Sequence, residues 1–217
     1  MSFFEYLQSD WQTVLSALGT HVRMSGISIL IAIIIAVPLG IILTRNDKAA
    51  KPVLALAGLV QTIPGLVLLG IGLMLFGLGE VPSIIVLVAY AVLPILQNTY
   101  TGIREVNNLY VEAARGIGMS DMQLLIKVEI PIALPAIVAG IRLSTVYTIS
   151  WATLAALIGA GGLGDLIWTG LSSYDTNMIL AGAIPASILA VFAGFAIDLI
   201  QKAVTPRGLQ KKGGAAK

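Results

Sequence analysis

Residues 24–44 read MSGISILIAIIIAVPLGIILT, a run without a charged side chain. A helix rises about 1.5 Å per residue, so about 20 apolar residues suffice to cross the hydrocarbon core of a bilayer. No water reaches the backbone in that core, and a helix pairs its own peptide groups. This stretch therefore predicts a transmembrane helix.

Four further uncharged runs, each longer than the first, occupy 52–79, 81–103, 143–164 and 176–197. Only 11% of the 217 residues are charged, against roughly a quarter in a soluble domain. So few charged side chains cannot supply the polar surface that a water-soluble protein of this size needs. We predict an all-α polytopic membrane protein, one transmembrane domain over 1–217, with five spans near 24–44, 53–78, 81–103, 135–159 and 176–200.

The N-terminal segment, 1–20, carries Glu5 and Asp10 among apolar side chains that recur at helical spacing. This pattern predicts a helix lying on the membrane surface, not a cleaved signal peptide, which begins with basic residues. An outer-membrane barrel would instead show segments of about ten residues with alternating polarity. The continuous apolar runs argue against it.

Lysine and arginine are retained on the cytoplasmic side of a membrane, so their positions orient the spans. Eleven of the 13 basic residues fall on one side: Arg45, Lys48, Lys51, Arg104, Arg115, Lys127, Lys202, Arg207, Lys211, Lys212 and Lys217. The connections around Glu80 and over 165–175 contain none. We therefore predict an outer N-terminus and a cytoplasmic C-terminus. The exceptions are Arg23 and Arg142, the latter expected to snorkel to the inner surface.

Small residues and prolines mark the predicted spans. Small side chains at four-residue spacing favour close helix packing, and they occur at Ala32, Ala36, Gly40, Ala152, Ala156, Ala160, Ala186, Ala190 and Gly194. Each proline removes a backbone donor and can kink its helix. These prolines are Pro38, Pro64, Pro94 and Pro185.

One polar interruption, 104–130, reads REVNNLYVEAARGIGMSDMQLLIKVEI. Residues 109–115 are good helix formers, Gly116 and Gly118 permit a sharp turn, and Ser120 with Gln123 matches a capping box. The pattern predicts a helix, a glycine turn and a second helix. From these features alone it is either a docking element or an amphipathic hairpin resting on lipid headgroups.

A motif within this interruption decides between the two. Glu112-Ala113-Ala114, three residues, Gly118, nine residues and then Val128-Glu129-Ile130-Pro131 resemble the EAA signature of binding-protein-dependent ABC importer permeases of type I. The family pattern has Ile and Leu where this chain has Val128 and Ile130. The resemblance implies that 112–118 form a coupling helix that docks on an ATPase, with Glu112, Ala113, Ala114, Gly118, Ile130 and Pro131 as the signature residues.

The resemblance also implies partners. The chain has no GxxxxGK[ST] loop to hold phosphates, so we expect no enzyme activity and no cofactor on it, with ATP and magnesium on the partner. The family pairs two permeases, identical or homologous, with two cytoplasmic ATP-binding subunits and an extracytoplasmic solute-binding protein. We expect this assembly in a bacterial cytoplasmic membrane, without a nucleic-acid partner.

Residues 159–164, GAGGLG, fit the GxGxxG dinucleotide fingerprint. That fingerprint needs a preceding strand and an acidic residue about 20 positions later. Here a membrane span precedes it and no such acid follows, so we interpret the run as a turn. The stretch instead resembles the outer loop of permeases for small zwitterionic solutes.

Three segments resemble osmoprotectant permeases for glycine betaine, carnitine and choline: 60–66, 93–103 and 139–164. Methionine permeases share the EAA region and the glycine loop and rank second, because they are less similar over 93–103. The sequence does not favour an integral membrane enzyme, because it shows no convergent acid, base or metal cluster. A passive channel leaves the polar hairpin unexplained.

A zwitterion needs a path that is polar but nearly free of charge. Ser144, Tyr147, Thr148 and Trp151 recur at helical spacing and share one face of the fourth span, and aromatic faces attract quaternary ammonium groups. Gln61, Gln97 and Asn98 are further candidates. The alternative is that the hydroxyls bond neighbouring helices. We interpret His21 as a snorkelling side chain at the outer interface.

Overall fold

The computed structural model describes residues 2–205 as helices joined by short turns, with no strand in that range. The α-helices are α1 (Phe3–Leu43), α2 (Asp47–Thr62), α3 (Gly65–Phe76), α4 (Glu80–Arg104), α5 (Asn108–Gly116), α6 (Asp121–Leu124), α7 (Ile130–Ala155), α8 (Leu163–Ser173) and α9 (Thr176–Val204). A π-helix, Leu125–Glu129, joins α6 to α7, and a 3-10 turn, Ala156–Ile158, follows α7. Four helices are long and apolar enough to cross a membrane, or five spans if α2 and α3 form one. The predicted helical membrane architecture is confirmed.

Helices α4 and α7 form the centre of the bundle, with α1 against both and α9 against α7. Small residues predicted to permit close packing lie at these contacts. Ala32 and Ala36 of α1 and Ala152 of α7 are fully buried. At Gly40 a β-carbon would come within 2.8 Å of the Thr99 side chain on α4. The approach of α1 to α4 therefore depends on a residue without a side chain.

Helix α1 is 41 residues long and consists of two helical segments joined across a kink at Asp10. The break therefore lies at Asp10 and not near residue 20, where the sequence predicted the boundary between the surface helix and the first span. No proline interrupts residues 11–37, and His21 and Met24 are fully buried. His21 donates from Nε2 to the carbonyl of Ile149 on α7 at 3.0 Å. His21 is therefore a buried contact between α1 and α7 rather than the snorkelling side chain that we predicted.

The second predicted span, 53–78, is broken. Helices α2 and α3 meet at an angle of 97°, with Ile63 and Pro64 extended between them. Proline has no amide proton to donate within a helix, and its ring disfavours helical dihedrals at the preceding residue, which becomes extended. The other three predicted kink sites, Pro38, Pro94 and Pro185, remain inside helices.

Most of the connection over 165–175 is helix α8. Leu163 and Leu166 are buried against α9 and α1, and Trp168 donates from its indole to the carbonyl of Thr153 at 3.1 Å. The glycine run before it is a turn, as predicted, with positive φ at Gly159, Gly161 and Gly162. We call the bundle end with α5 and α6 the hairpin end, and the end with 159–162 the glycine-loop end.

Candidate functional site

The predicted hairpin is present and has the predicted parts. Helix α5 ends at Gly116, and Gly118 reverses the chain with a φ of +82°. The Ser120 hydroxyl accepts from the Gln123 amide at 3.4 Å, while the Ser120 amide donates to the Gln123 side chain at 3.0 Å. This capping box begins α6. The hairpin is thus a folded element with defined ends.

Helix α5 presents an apolar stripe on its exposed side. Leu109, Ala113 and Ile117 lie four residues apart, and Leu109 and Ile117 are 69% and 77% exposed. Of the EAA residues, Glu112, Ala113 and Gly118 are exposed, Ala114 is buried, and Ile130 and Pro131 are half-buried. The six residues therefore do not form one surface: three are accessible to a partner, and three face the fold.

The hairpin is continuous with the centre of the bundle. Helix α6, the π-helix, α7 and the 3-10 turn form one rod from Asp121 to Ile158, 38 residues long. We predicted a separate hairpin and a span beginning at residue 135. No proline occurs before Pro131 in this rod, and the wider π turn carries the helix past Glu129 without a break. π turns are rare and are frequent at functional sites.

Ion pairs fasten the hairpin end, and none of them was predicted from the sequence. Arg45, after α1, donates to the Glu129 carboxylate with both terminal guanidinium nitrogens, one at 3.2 Å. The Glu129 side chain is only 8% exposed. Arg104 lies 3.4 Å from Asp47, and Arg115 lies 3.6 Å from Asp121. The first pair joins the α1–α2 connection to the π-helix.

Two further ion pairs join helices elsewhere. Arg23 of α1 donates to Glu80 of α4 at 2.6 and 3.0 Å near the glycine-loop end. Arg142 of α7 lies 2.7 Å from Asp198 of α9. We predicted that Arg142 snorkels to the inner surface, and named no partner for it. Because Asp198 is far away in the chain, its pairing with Arg142 is not visible from the sequence.

A cavity of about 310 Å³ lies beside the middle of α4 and α7. In the described part of the chain, no charged residue lines it. The lining residues are Gln61, Tyr90, Ala91, Ser144, Tyr147, Thr148 and Trp151. Five of these residues were predicted as path candidates. The other two predicted candidates do not line it, since Gln97 is exposed and Asn98 donates to the Pro94 carbonyl of its own helix at 2.8 Å.

The break between α2 and α3 forms one wall of this cavity. The Tyr90 hydroxyl donates to the Ile63 carbonyl, and the Gln61 amide donates to the Tyr90 carbonyl at 3.1 Å. The Tyr90 and Trp151 rings stack with centroids 5.2 Å apart. A β-carbon at Gly65 would lie 1.8 Å from the Trp151 ring. Tyr90 was missed because its role depends on a contact across three helices.

The hydroxyl groups of α7 differ in their bonding. Ser144 donates to the Ala91 carbonyl of α4 at 2.7 Å, as the helix-bonding alternative predicted. Thr145, Ser150 and Thr153 each donate to a carbonyl of their own helix. Thr148 is 3% exposed, lines the cavity, and makes no side-chain hydrogen bond within residues 2–205. Its hydroxyl is available to an occupant of the cavity.

Comparisons with known proteins agree with this geometry. Residues 28–209 match the family model described as binding-protein-dependent transport system inner membrane component. The chain is 47% identical, over 94% of both chains, to the glycine betaine/carnitine/choline transport system permease protein OpuCB of Bacillus subtilis strain 168. It is 43% identical, over 95% of both, to the choline transport system permease protein OpuBB of the same organism.

A solved structure shares the fold. The inward-facing MetNI methionine ABC transporter matches with a TM-score of 0.82 at 24% identity, over 95% of this chain and 100% of the other. At that identity the match concerns the fold alone, and it confirms the predicted importer permease fold. The chain therefore belongs to the family of binding-protein-dependent transport system inner membrane components, as a multi-pass permease subunit of an ABC importer in the cytoplasmic membrane.

Proposed function

We propose that this chain forms the translocation path of an ATP-driven importer for quaternary ammonium osmoprotectants such as glycine betaine, carnitine and choline. The observation that carries the proposal is the similarity, over nearly the whole of both chains, to permeases named for these solutes, at 47% and 43% identity. A cavity without charged lining residues, beside three aromatic side chains, supports it.

The orientation that we propose places the hairpin end in the cytoplasm and the glycine-loop end outside. Arg45, Arg104, Arg115 and Lys127 all lie on the hairpin side of the spans, and basic residues are retained in the cytoplasm. The tail residues Arg207, Lys211, Lys212 and Lys217 lie outside the described residues. Because α5 and its apolar stripe then face the cytoplasm, they are accessible to an ATPase.

In this proposal 112–118 are the contact with that ATPase. The exposed apolar stripe supports it, since contiguous exposed apolar side chains such as Leu109 and Ile117 mark sites of interaction with a partner. Ala113 between them lets a partner approach closely. Glu112 beside the stripe offers a charge for a basic partner side chain. Two such ATPases, a second permease and a solute-binding protein complete the proposed assembly, with ATP and magnesium held by the ATPases.

The rod from Asp121 to Ile158 supports a route for coupling. The helical rise places Thr148 roughly 40 Å along the rod from Asp121. A displacement of the hairpin therefore reaches the cavity wall through one continuous element. The Arg45–Glu129 pair links the same movement to α1 and α2, so that both walls of the path respond.

Uptake measurements test the solute assignment. Cells that lack other osmolyte importers and express this permease with its ATPase and binding protein are given radiolabelled glycine betaine, carnitine, choline and methionine. We expect uptake of at least one quaternary ammonium solute and none of methionine. The medium is tested at low and high osmolarity. Uptake of methionine alone would overturn the assignment and leave the family membership intact.

A further inference from the structure

We propose that the cavity beside α7 is itself a solute site, selective for a quaternary ammonium group and separate from the site on the binding protein. This inference rests on the proposed function and adds a binding step within the permease. The cavity, about 310 Å³, falls at the lower end of the range of small-molecule sites, roughly 300–1,000 Å³.

The lining favours a cation that carries no N–H groups. A primary ammonium group brings three donors and loses their bonds to water on entry, which is unfavourable unless acceptors replace them. The Ala91 and Tyr90 carbonyls each already accept one hydrogen bond, from Ser144 and Gln61. An ammonium group would depend on their second lone pairs and on neutral side-chain oxygens, since no carboxylate among the described residues lines the cavity. A trimethylammonium group has no such donors to satisfy. The lining therefore disfavours amino acids such as methionine more strongly than betaines.

Aromatic side chains supply the attraction. Tyr90, Tyr147 and Trp151 all line the cavity, and recognition of quaternary ammonium by aromatic rings is well established as a cation–π interaction. Trp151 stacks on Tyr90 and lies against Gly65, so these two rings form a fixed aromatic wall in which each covers part of the other's face. Tyr147 is 50% exposed, which leaves its ring free to cover a solute.

Thr148 and Gln61 supply donors for the other end of a betaine. The Thr148 hydroxyl is buried and makes no side-chain bond within residues 2–205. Gln61 uses one amide proton on the Tyr90 carbonyl, and a side-chain amide has two. Both groups can donate to a carboxylate, while tetramethylammonium offers them nothing. The cavity thus combines an aromatic region for the cation with two donors for the anion.

The experiment measures binding to the permease–ATPase complex purified without the binding protein. Radiolabelled glycine betaine is titrated by equilibrium dialysis, and unlabelled choline, tetramethylammonium and methionine compete. We expect saturable binding that choline and tetramethylammonium displace and methionine does not. No saturable binding in a complex that still supports quaternary ammonium uptake in cells would overturn the site but not the proposed function.

Two variants test the cation-binding and the anion-binding parts of the site separately. Tyr147→Leu removes an exposed ring and should weaken glycine betaine and tetramethylammonium alike, by roughly threefold to thirtyfold. Thr148→Val keeps the shape and removes the donor, so it should weaken glycine betaine about tenfold and leave tetramethylammonium unchanged. The matched control is Thr145→Val, one turn nearer the hairpin, whose hydroxyl bonds its own helix. Wild-type binding in both test variants would overturn the proposal.

Discussion

Arg45 and Glu129 lie 84 positions apart and form an ion pair at the hairpin end of the bundle. The pair is asymmetric, since the Arg45 side chain is 42% exposed while the Glu129 side chain is 8% exposed. Removing the arginine therefore leaves a buried carboxylate without its cation, whereas removing the glutamate leaves an arginine that water can still solvate. This asymmetry allows the two halves of the pair to be tested separately.

Arg45→Gln should destabilise the protein more than Glu129→Gln. An unpaired buried charge is costly, and charged hydrogen bonds contribute about 1.5–3 kcal/mol. A loss of about 2 kcal/mol corresponds to a fall in Tm of roughly 4–8 °C for a chain of this size. The measurement is thermal unfolding of the purified complex. Arg104→Gln is the control, because its pair with Asp47 is exposed on both sides and contributes little. Equal shifts for all three variants would contradict the asymmetry.

Gly118→Ala should disturb the hairpin, because Gly118 has a φ of +82°. A residue with a β-carbon pays roughly 1–2 kcal/mol in that region. We expect weaker retention of the ATPase on a tagged permease. Gly116→Ala is the matched control, two residues away in α5, with ordinary helical dihedrals and nothing within 4 Å of an added β-carbon. Retention that falls equally in both variants would show that the turn is not the cause.

Glu112→Lys should weaken the contact with the ATPase by reversing a charge beside the exposed apolar stripe. Glu105→Lys is the control, since it makes the same reversal at an exposed position between α4 and α5. The readouts are co-purification of the ATPase and ATP hydrolysis stimulated by solute and binding protein. Normal values of both in Glu112→Lys would contradict the proposed docking surface.

Gly65→Ala should displace Trp151, since a β-carbon there would lie 1.8 Å from the indole ring. Movement of the ring opens its stack on Tyr90, so we expect reduced solute uptake and a shift of tryptophan emission. Gly70→Ala on the same helix is the control, because nothing lies within 4 Å of its added β-carbon. To isolate the Trp151 signal, both variants are made with Trp11→Phe and Trp168→Phe. Unchanged emission and uptake in Gly65→Ala would show that the contact of Gly65 with Trp151 does not fix the position of the indole ring in the cavity wall.

The orientation is testable because the chain has no cysteine. Tyr174→Cys lies at a position that is 94% exposed near the glycine-loop end, and Glu105→Cys lies at an exposed position between α4 and α5, outside the proposed docking stripe. A membrane-impermeant maleimide added to intact cells or spheroplasts should label the first and not the second. Inverted vesicles should give the opposite result. Labelling of Glu105→Cys from outside would reverse the proposed topology.

The predicted features that the structure shows depend on short-range patterns. An uncharged run such as 24–44 predicts a span because length and polarity are local properties. The hairpin follows from a capping box and from glycines at the turn. Ser144, Tyr147, Thr148 and Trp151 share a face because a helical turn takes about 3.6 residues, so steps of three and four residues return to the same side. These four reach one cavity in the structure. What they bind there stays a proposal.

The features that were missed depend on contacts between distant residues. His21 is polar and near a span end, so it was interpreted as interfacial, yet it bonds Ile149 inside the bundle. Gln97 and Asn98 are polar residues in a span like Gln61, but only Gln61 lies beside the α2–α3 break. The partners of Tyr90, Glu129 and Asp198 are distant in the chain: Ile63, Arg45 and Arg142.

The order of amino acids alone is enough to establish a membrane protein of about five spans with a folded polar hairpin, because hydropathy and capping act over a few residues. Only the packed bundle establishes that the second span breaks at Pro64, that the hairpin continues into α7 through a π-helix, and that Glu129 pairs with Arg45. The packed bundle also determines which polar residues line one cavity. The reason is that side-chain contacts between helices depend on how each helix is rotated about its axis and how closely it approaches its neighbours, which no single helix specifies.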